Sequence, residues 1–176
     1  MKTKNLATRY GLPALDWEAI RLDLDAGAIR VADGPGRVTC WLTSVDADGA
    51  PHTNGIGAVW HGGAFWFVTG RQTRRGRNLA RDPRCTLSVS TKEFDLVMEG
   101  EAEMVEDRAT IAVLAELWRD GGWPCEVDES GLALTAPYSA PSAGGPPWHV
   151  FRIEARSANV VTAREPGGAT SWTFDS

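Results

Sequence analysis

Residues 65 to 90, FWFVTGRQTRRGRNLARDPRCTLSVS, read as strand, turn, helix, turn and strand. Phe65 to Thr69 is apolar and aromatic, the composition of a buried strand, and Gly70 breaks it. Arg71, Arg74, Arg75 and Arg77 follow, with Thr73 and Gly76 between them. The pattern predicts a helix over Arg75 to Arg81, stopped by Asp82-Pro83, before a strand resumes over Cys85 to Val89. Four cations therefore crowd the N-terminal end of a short helix, where the helix dipole repels positive charge and favours carboxylates. An anion bound there removes the conflict, because free backbone N–H groups, a hydroxyl and guanidinium forks converge on it. The competing reading is a solvated basic turn whose guanidiniums pair with surface Asp and Glu. A nucleic-acid patch is a third option, weakened by a net charge of −5, which makes the arginine cluster a local exception on an acidic chain.

Short strands surround this stretch. Val38 to Val45 is rich in β-branched residues, and Asp46-Ala47-Asp48-Gly49 reads as a hairpin turn into Pro51 to Trp60. His61-Gly62-Gly63 turns into Ala64 to Thr69. After the arginine helix and the Cys85 strand, Phe94 to Val105 alternates as a long strand with one solvated face. Trp148 to Val161 alternates likewise, and Ala169 to Phe174 is a short last strand. Asp16 is placed to cap an amphipathic helix to Asp25, with Trp17, Ile20 and Leu24 on one face, and Gly27 ends it. Asp33-Gly34-Pro35-Gly36 is a turn-rich break. Asp107 caps a helix over Arg108 to Arg119, with Ile111, Leu114, Ala115 and Trp118 sharing a face. The expected fold is α+β and mainly β. It has six or seven mostly antiparallel strands in a β-barrel with two to three helices, as one domain of 176 residues,. Its core spans 37–120, its C-terminal strands 148–176, and an irregular loop 121–147 lies between. A loop of that length in a compact domain is functional, disordered or an undetected element, and Trp123, Leu132, Leu134 and Tyr138 suit one that packs on something.

The second strand is unusual. Asn54, Gly55 and Gly57 have poor strand propensity. Glycine there either relieves crowding at a barrel corner or lets a flat ring lie along the backbone. Trp172 sits among Thr170, Ser171 and Thr173. It is the best of the eight tryptophans to be exposed and stack on a ligand or partner, the alternative being an edge-strand residue packed on the barrel. His52, His61 and His149 do not cluster, and Glu99, Glu101 and Glu103 share a solvated strand face. No catalytic triad, Cys-His pair or metal motif is visible, so any chemistry belongs to a cofactor. No apolar run approaches the roughly 20 residues of a membrane span, and the N-terminus lacks a signal-peptide apolar region. Cys40, Cys85 and Cys125 fit buried reduced thiols in a cytoplasmic protein.

Thr73-Arg74-Arg75-Gly76-Arg77 resembles the Ser-Arg-Lys-Gly-Lys segment of pyridoxamine 5′-phosphate oxidases. TGRQTRRGRNLARDPRCTLSV, the preceding DADGAPHTNGIGAVW and the VMEGEAEMVED strand resemble the flavin- and deazaflavin-dependent oxidoreductases that share their split β-barrel. The resemblance covers roughly Val38 to Arg108. The C-terminal ATSWTF is similar to an Ala-Thr-Arg-Trp-Arg-Phe ending in the deazaflavin-related branch, with Ser171 and Thr173 in place of both arginines. This resemblance implies a homodimer with two cofactors at the subunit interface and a small organic substrate. Neither nucleic acid nor membrane is an expected partner. Thr73, Arg74 and Arg75 would hold the cofactor phosphate, with Arg71, Arg77 and Asn78 in support and Thr69 and Gly70 at the strand end beside them. Thr53 to Val59, including Asn54, Gly55, Ile56 and Gly57, would run along a tricyclic ring, and Trp172 would cover it from the second subunit. The implied cofactor is F420 or FMN, with F420 favoured. The implied activity is hydride or electron transfer without an essential side-chain acid or base. A non-catalytic carrier of flavin, F420 or haem on the same fold is the alternative.

Overall fold

The computed structural model describes residues 1–29, 38–162 and 164–175; the break expected at Asp33 to Gly36 lies outside them. Among the described residues, eleven strands and three α-helices follow in chain order. They are β1 (Lys2–Asn5), α1 (Trp17–Asp25), β2 (Cys40–Val45), β3 (Pro51–Ile56), β4 (Ala58–His61), β5 (Ala64–Thr69), α2 (Arg74–Arg81), β6 (Arg84–Ser90), β7 (Phe94–Met104), α3 (Arg108–Asp120), β8 (Glu126–Val127), β9 (Leu134–Thr135), β10 (His149–Thr162) and β11 (Gly168–Thr173). All pairings are antiparallel.

The expected second strand is two. β3 pairs with β2, while β4 pairs with β5, and Gly57 is the single residue between them. The pairing path then runs β5 to β10, β10 to β7, β7 to β6, β6 to β2 and back to β3. It is a circuit that bends at Gly57. β10 is the shared staple. One edge pairs with β7 along its length. The other edge pairs with β5 through His149 to Ile153 and with β11 through Ser157 to Thr162. A bulge at Arg156 sits opposite Gly100, where a Cβ would lie 2.1 Å from the Glu154 carbonyl oxygen; only glycine lets the two backbones approach there.

Alternation sets the core. Cys40, Leu42 and Ser44 of β2 and Phe94, Leu96, Met98 and Ala102 of β7 point inward, and their neighbours point out. β5 is buried on both faces. Phe65 and Phe67 enter the barrel core, whereas Ala64 and Trp66 meet Ile111, Leu114, Ala115 and Trp118 of α3 in a second cluster. That is why its sequence is a continuous apolar run rather than an alternating one. The caps expected at α1 and α3 form: Asp16 accepts from the Glu18 N–H at 3.1 Å and Asp107 from the Thr110 N–H at 2.8 Å,.

Trp172 corrects an expectation. It is 1% exposed and its ring lies 5.4 Å from that of Trp17. On β11, Gly168, Thr170 and Trp172 share the buried face, and Ser171 and Thr173 point the other way. Polar neighbours at odd spacing therefore say nothing about its exposure. β11 is also not an edge strand, because β1, absent from the sequence-based expectation, pairs along it. The region 121–147 holds the β8–β9 ribbon and a turn of 3-10 helix at Pro141–Ala143. Leu134 then bridges to Trp148, returning the chain to the barrel. The three cysteines are free and buried, and burial pushes the thiols of Cys40 and Cys85 up to about 12. Among the described residues no helix is long and apolar enough to cross a membrane, and no group of metal-binding side chains occurs.

Candidate functional site

The turn from β5 into α2 is built around Thr73. Its hydroxyl accepts the Gly76 N–H at 2.9 Å, capping the helix, and donates to the Gly70 carbonyl at 2.8 Å,. The Thr69 hydroxyl lies 3.0 Å away and donates to it in turn. Gly76 lets the helix sit down on the turn, since a Cβ there would lie 2.4 Å from the Gly70 oxygen.

From this helix end Arg75 points inward. It is 3% exposed, and its Nε and Nη1 are buried with no hydrogen-bond partner among the described residues. It lines a cavity of about 180 Å³ whose other walls are Gly55 to Gly57 and Val68 of the barrel, Trp118 and Trp123, and residues 138–140, 142 and 143. Burial pushes the guanidinium below its ordinary value, to about 10. A buried charge without a counter-charge costs several kcal/mol by typical penalties. An anion bound beside the guanidinium would offset that cost. Beside Gly57 a Cβ would meet nothing within 4 Å, so there is open space along the backbone of the barrel corner. The arrangement fits a phosphate or other oxyanion at Arg75, with a flat group lying along residues 55–57.

Residues 138–145 form a strap over this cavity, tied at four points. Trp123 Nε1 donates to the Tyr138 carbonyl at 2.7 Å, Ser142 Oγ to the Gly55 carbonyl at 3.4 Å, Gly70 N–H to the Ala143 carbonyl at 3.0 Å, and Trp148 Nε1 to the Gly144 carbonyl at 2.9 Å. The strap limits the cavity to less than the roughly 300–1,000 Å³ of typical ligand pockets. It was legible in the sequence only as Trp123 and Tyr138 needing something to pack on.

The expected site residues divide. Gly55, Ile56, Gly57 and Arg75 come together in the cavity. Thr53 faces out, bonded to the Thr43 hydroxyl at 2.8 Å, and Asn54 is half-buried on β3 opposite Leu42. Val59 packs on the α3 cluster. Arg74 turns away from Arg75 and pairs with Asp46 in the β2–β3 hairpin, Nε to Oδ1 at 3.0 Å. Asn78 is buried and donates to Asp46 Oδ1 at 2.7 Å and Ser44 Oγ at 3.1 Å, tying α2 to β2. These two partners, Arg74 first, hold the Asp46 carboxyl down at about 2. Arg77 is exposed and donates to the Gln72 carbonyl. Thr69 is buried, and its hydroxyl is spent on Thr73. Gly70 and Arg71 face a different cleft, beyond the strap. Trp172 lies in the barrel core.

A bent antiparallel circuit with a glycine corner, and a helix end carrying a buried arginine beside it, make a split β-barrel. The chain belongs to the pyridoxamine 5′-phosphate oxidase family, whose model matches residues 33–161. Solved structures share the fold at low identity. A protein from Clostridium acetobutylicum related to general stress protein 26 of B. subtilis is 15% identical, with TM-score 0.58 over 92% of this chain and 98% of that one. A heme binding protein from Mycobacterium smegmatis is 17% identical, with TM-score 0.56 over 92% of this chain and 60% of that one. An F420 reductase is 17% identical, with TM-score 0.50 over 76% of this chain and 94% of that one. None of the curated proteins compared matches the chain.

Proposed function

We propose that the protein is an oxidoreductase that uses F420 or FMN to reduce or oxidise a small organic molecule. The observation that carries this reading is the buried guanidinium of Arg75, unpartnered at two of its nitrogens and facing a cavity along Gly55 to Gly57. In this reading Arg75 takes the cofactor phosphate, and Thr73 keeps its capping role beside it. When bound, the cofactor supplies hydride or electron transfer at its ring. The protein's part is to anchor the phosphate, lay the ring against residues 55–57 and exclude water with Trp118, Trp123 and the strap. Among the described residues that line the cavity, Arg75 is the only ionisable side chain apart from Tyr138, which suits chemistry carried by the cofactor. F420 is the favoured cofactor, supported by the C-terminal ATSWTF and the shared fold with an F420 reductase. A homodimer in which a second copy completes the ring site belongs to the same proposal.

A carrier or sensor of the same ligands, or of haem, is the second reading, supported by the shared fold with a heme binding protein. Side-by-side titration with F420 and FMN, with absorbance watched for a Soret band after haem addition, separates the readings. The expected result is saturable F420 or FMN binding that Arg75→Ala weakens by about 1.5–3 kcal/mol, as for a charge-assisted hydrogen bond. Arg74→Ala is expected to change it little, because that guanidinium is committed to Asp46. Substrate reduction by the loaded protein then distinguishes enzyme from carrier. Failure of both cofactors to bind, or equal affinity in Arg75→Ala, overturns the assignment.

A further inference from the structure

The far side of the strap forms a second cleft of about 410 Å³, with Gly70 to Thr73 on one wall and Gly144 to Pro147 and His149 on the other. The Gly70 N–H to Ala143 carbonyl bond is the seam between it and the Arg75 cavity. His149 opens β10 opposite Thr69 and is half-buried. Its Nδ1 is buried without a partner among the described residues. A proton on that nitrogen would be a sealed donor with no acceptor, so the neutral ring is best served by carrying its hydrogen on Nε2. Arg71 is exposed beside it and makes no hydrogen bond or ion pair with any described residue. Burial, and after it the nearby Arg71 charge, pushes the His149 imidazole below its ordinary value.

Two groups able to carry positive charge thus share a cleft with no carboxylate committed to them. Asp128 faces His149 from the β8–β9 side and opposes the shift. It is already engaged, accepting from Ser130 Oγ at 2.7 Å and the Ala133 N–H at 3.2 Å. We propose that this cleft is a binding site for a small oxyanion, the phosphate or carboxylate group of an organic molecule, held by the Arg71 guanidinium and the His149 Nε2–H. The volume exceeds what an oxyanion alone needs, and Gly144 to Pro147 give the attached organic part a wall to rest on. The site is separate from the Arg75 cavity and stands whether or not Arg75 takes a cofactor phosphate.

A bound anion favours the protonated imidazole, so the His149 pKa is higher in the bound than in the free state and affinity rises as pH falls through it. With only three histidines in the chain, their ring resonances are separable by NMR. The full-length protein is titrated with pH in inorganic phosphate, in acetate and in chloride at matched ionic strength. Phosphate, acetate or both are expected to raise the His149 midpoint by about one pH unit, which is about tenfold tighter binding to the protonated form. His52 and His61 stay where they are. A response to phosphate alone assigns a phosphate ester, one to acetate alone a carboxylate, and one to both a general oxyanion site. Arg71→Gln abolishes the shift and Arg75→Gln keeps it. No shift with either anion, equal movement of all three histidines, persistence in Arg71→Gln or loss in Arg75→Gln overturns the proposal.

Discussion

Replacing Arg75 by methionine tests the site in two directions at once. Arg75 is 3% exposed, its Nε and Nη1 lack hydrogen-bond partners among the described residues, and burial pushes the guanidinium more than two pH units below its ordinary value, to about 10. At about 1.36 kcal/mol per pH unit, that displacement is an electrostatic cost of about 3 kcal/mol. The sign follows from the folded value being the lower one. The charged form is the disfavoured one in the folded state. Its cost is fully present below pH 10 and is relieved only as pH rises from 10 toward the guanidinium's ordinary value, so neutral solution carries all of it. Methionine keeps the apolar stem and removes the charge. Part of the gain is returned as lost packing, which leaves an expected stabilisation of about 1–3 kcal/mol for the ligand-free protein. Urea unfolding at pH 7, followed by tryptophan fluorescence, reads this as an upward midpoint shift of about 1 M for a slope of about 2 kcal/mol/M. In parallel, F420 or FMN affinity falls. Greater apo stability together with weaker binding is what an orphaned charge held for a ligand produces. A methionine variant destabilised by 1 kcal/mol or more would mean that Arg75 is partnered within the protein, and the reasoning would fail.

Two further expectations rest on the same turn. Gly76→Ala gains about 1 kcal/mol of helix propensity, but its Cβ would lie 2.4 Å from the Gly70 oxygen and 2.9 Å from the Arg71 oxygen, both backbone atoms. Overpacking costs about 1–3 kcal/mol, so denaturant midpoints should fall, and an alanine variant as stable as the parent contradicts the close approach. Asp46 is held at about 2 by Arg74 and Asn78, below its ordinary 3.8. Its folded value is the depressed one. The stabilisation is therefore complete above about pH 4 and disappears as pH falls toward 2. Asp46→Asn should flatten the acid limb of a stability-against-pH curve over that window, and identical acid limbs in both proteins would refute the coupling.

Local pattern made β5, α2 and β6 legible, because each has a strong period and clear punctuation. It could not separate Arg74 from Arg75. Adjacent helical residues point about 100° apart, and only the tertiary fold places Asp46 under one and an apolar cavity under the other. β1 was invisible for a related reason. KTKN carries no alternation and becomes a strand because β11 offers it an edge. The strap escaped because three of its four ties run to residues 15, 87 and 73 positions away, and none of these leaves a local mark. The candidate site was therefore half readable: the arginine-bearing helix end and the glycine corner lie in motifs, while the wall that encloses them comes from long-range packing.

β10 has a bearing on how the chain reaches this state. It begins at His149, after all the other strands of the circuit in chain order, and it supplies the partner for one edge each of β5, β7 and β11. Until it emerges from the ribosome, the nascent barrel holds the β5 and β7 edges open, a state prone to pairing with other chains. The strap joins directly to its start. Closure of the barrel and enclosure of the Arg75 cavity thus wait for β10, and a chain stalled before residue 149 has neither.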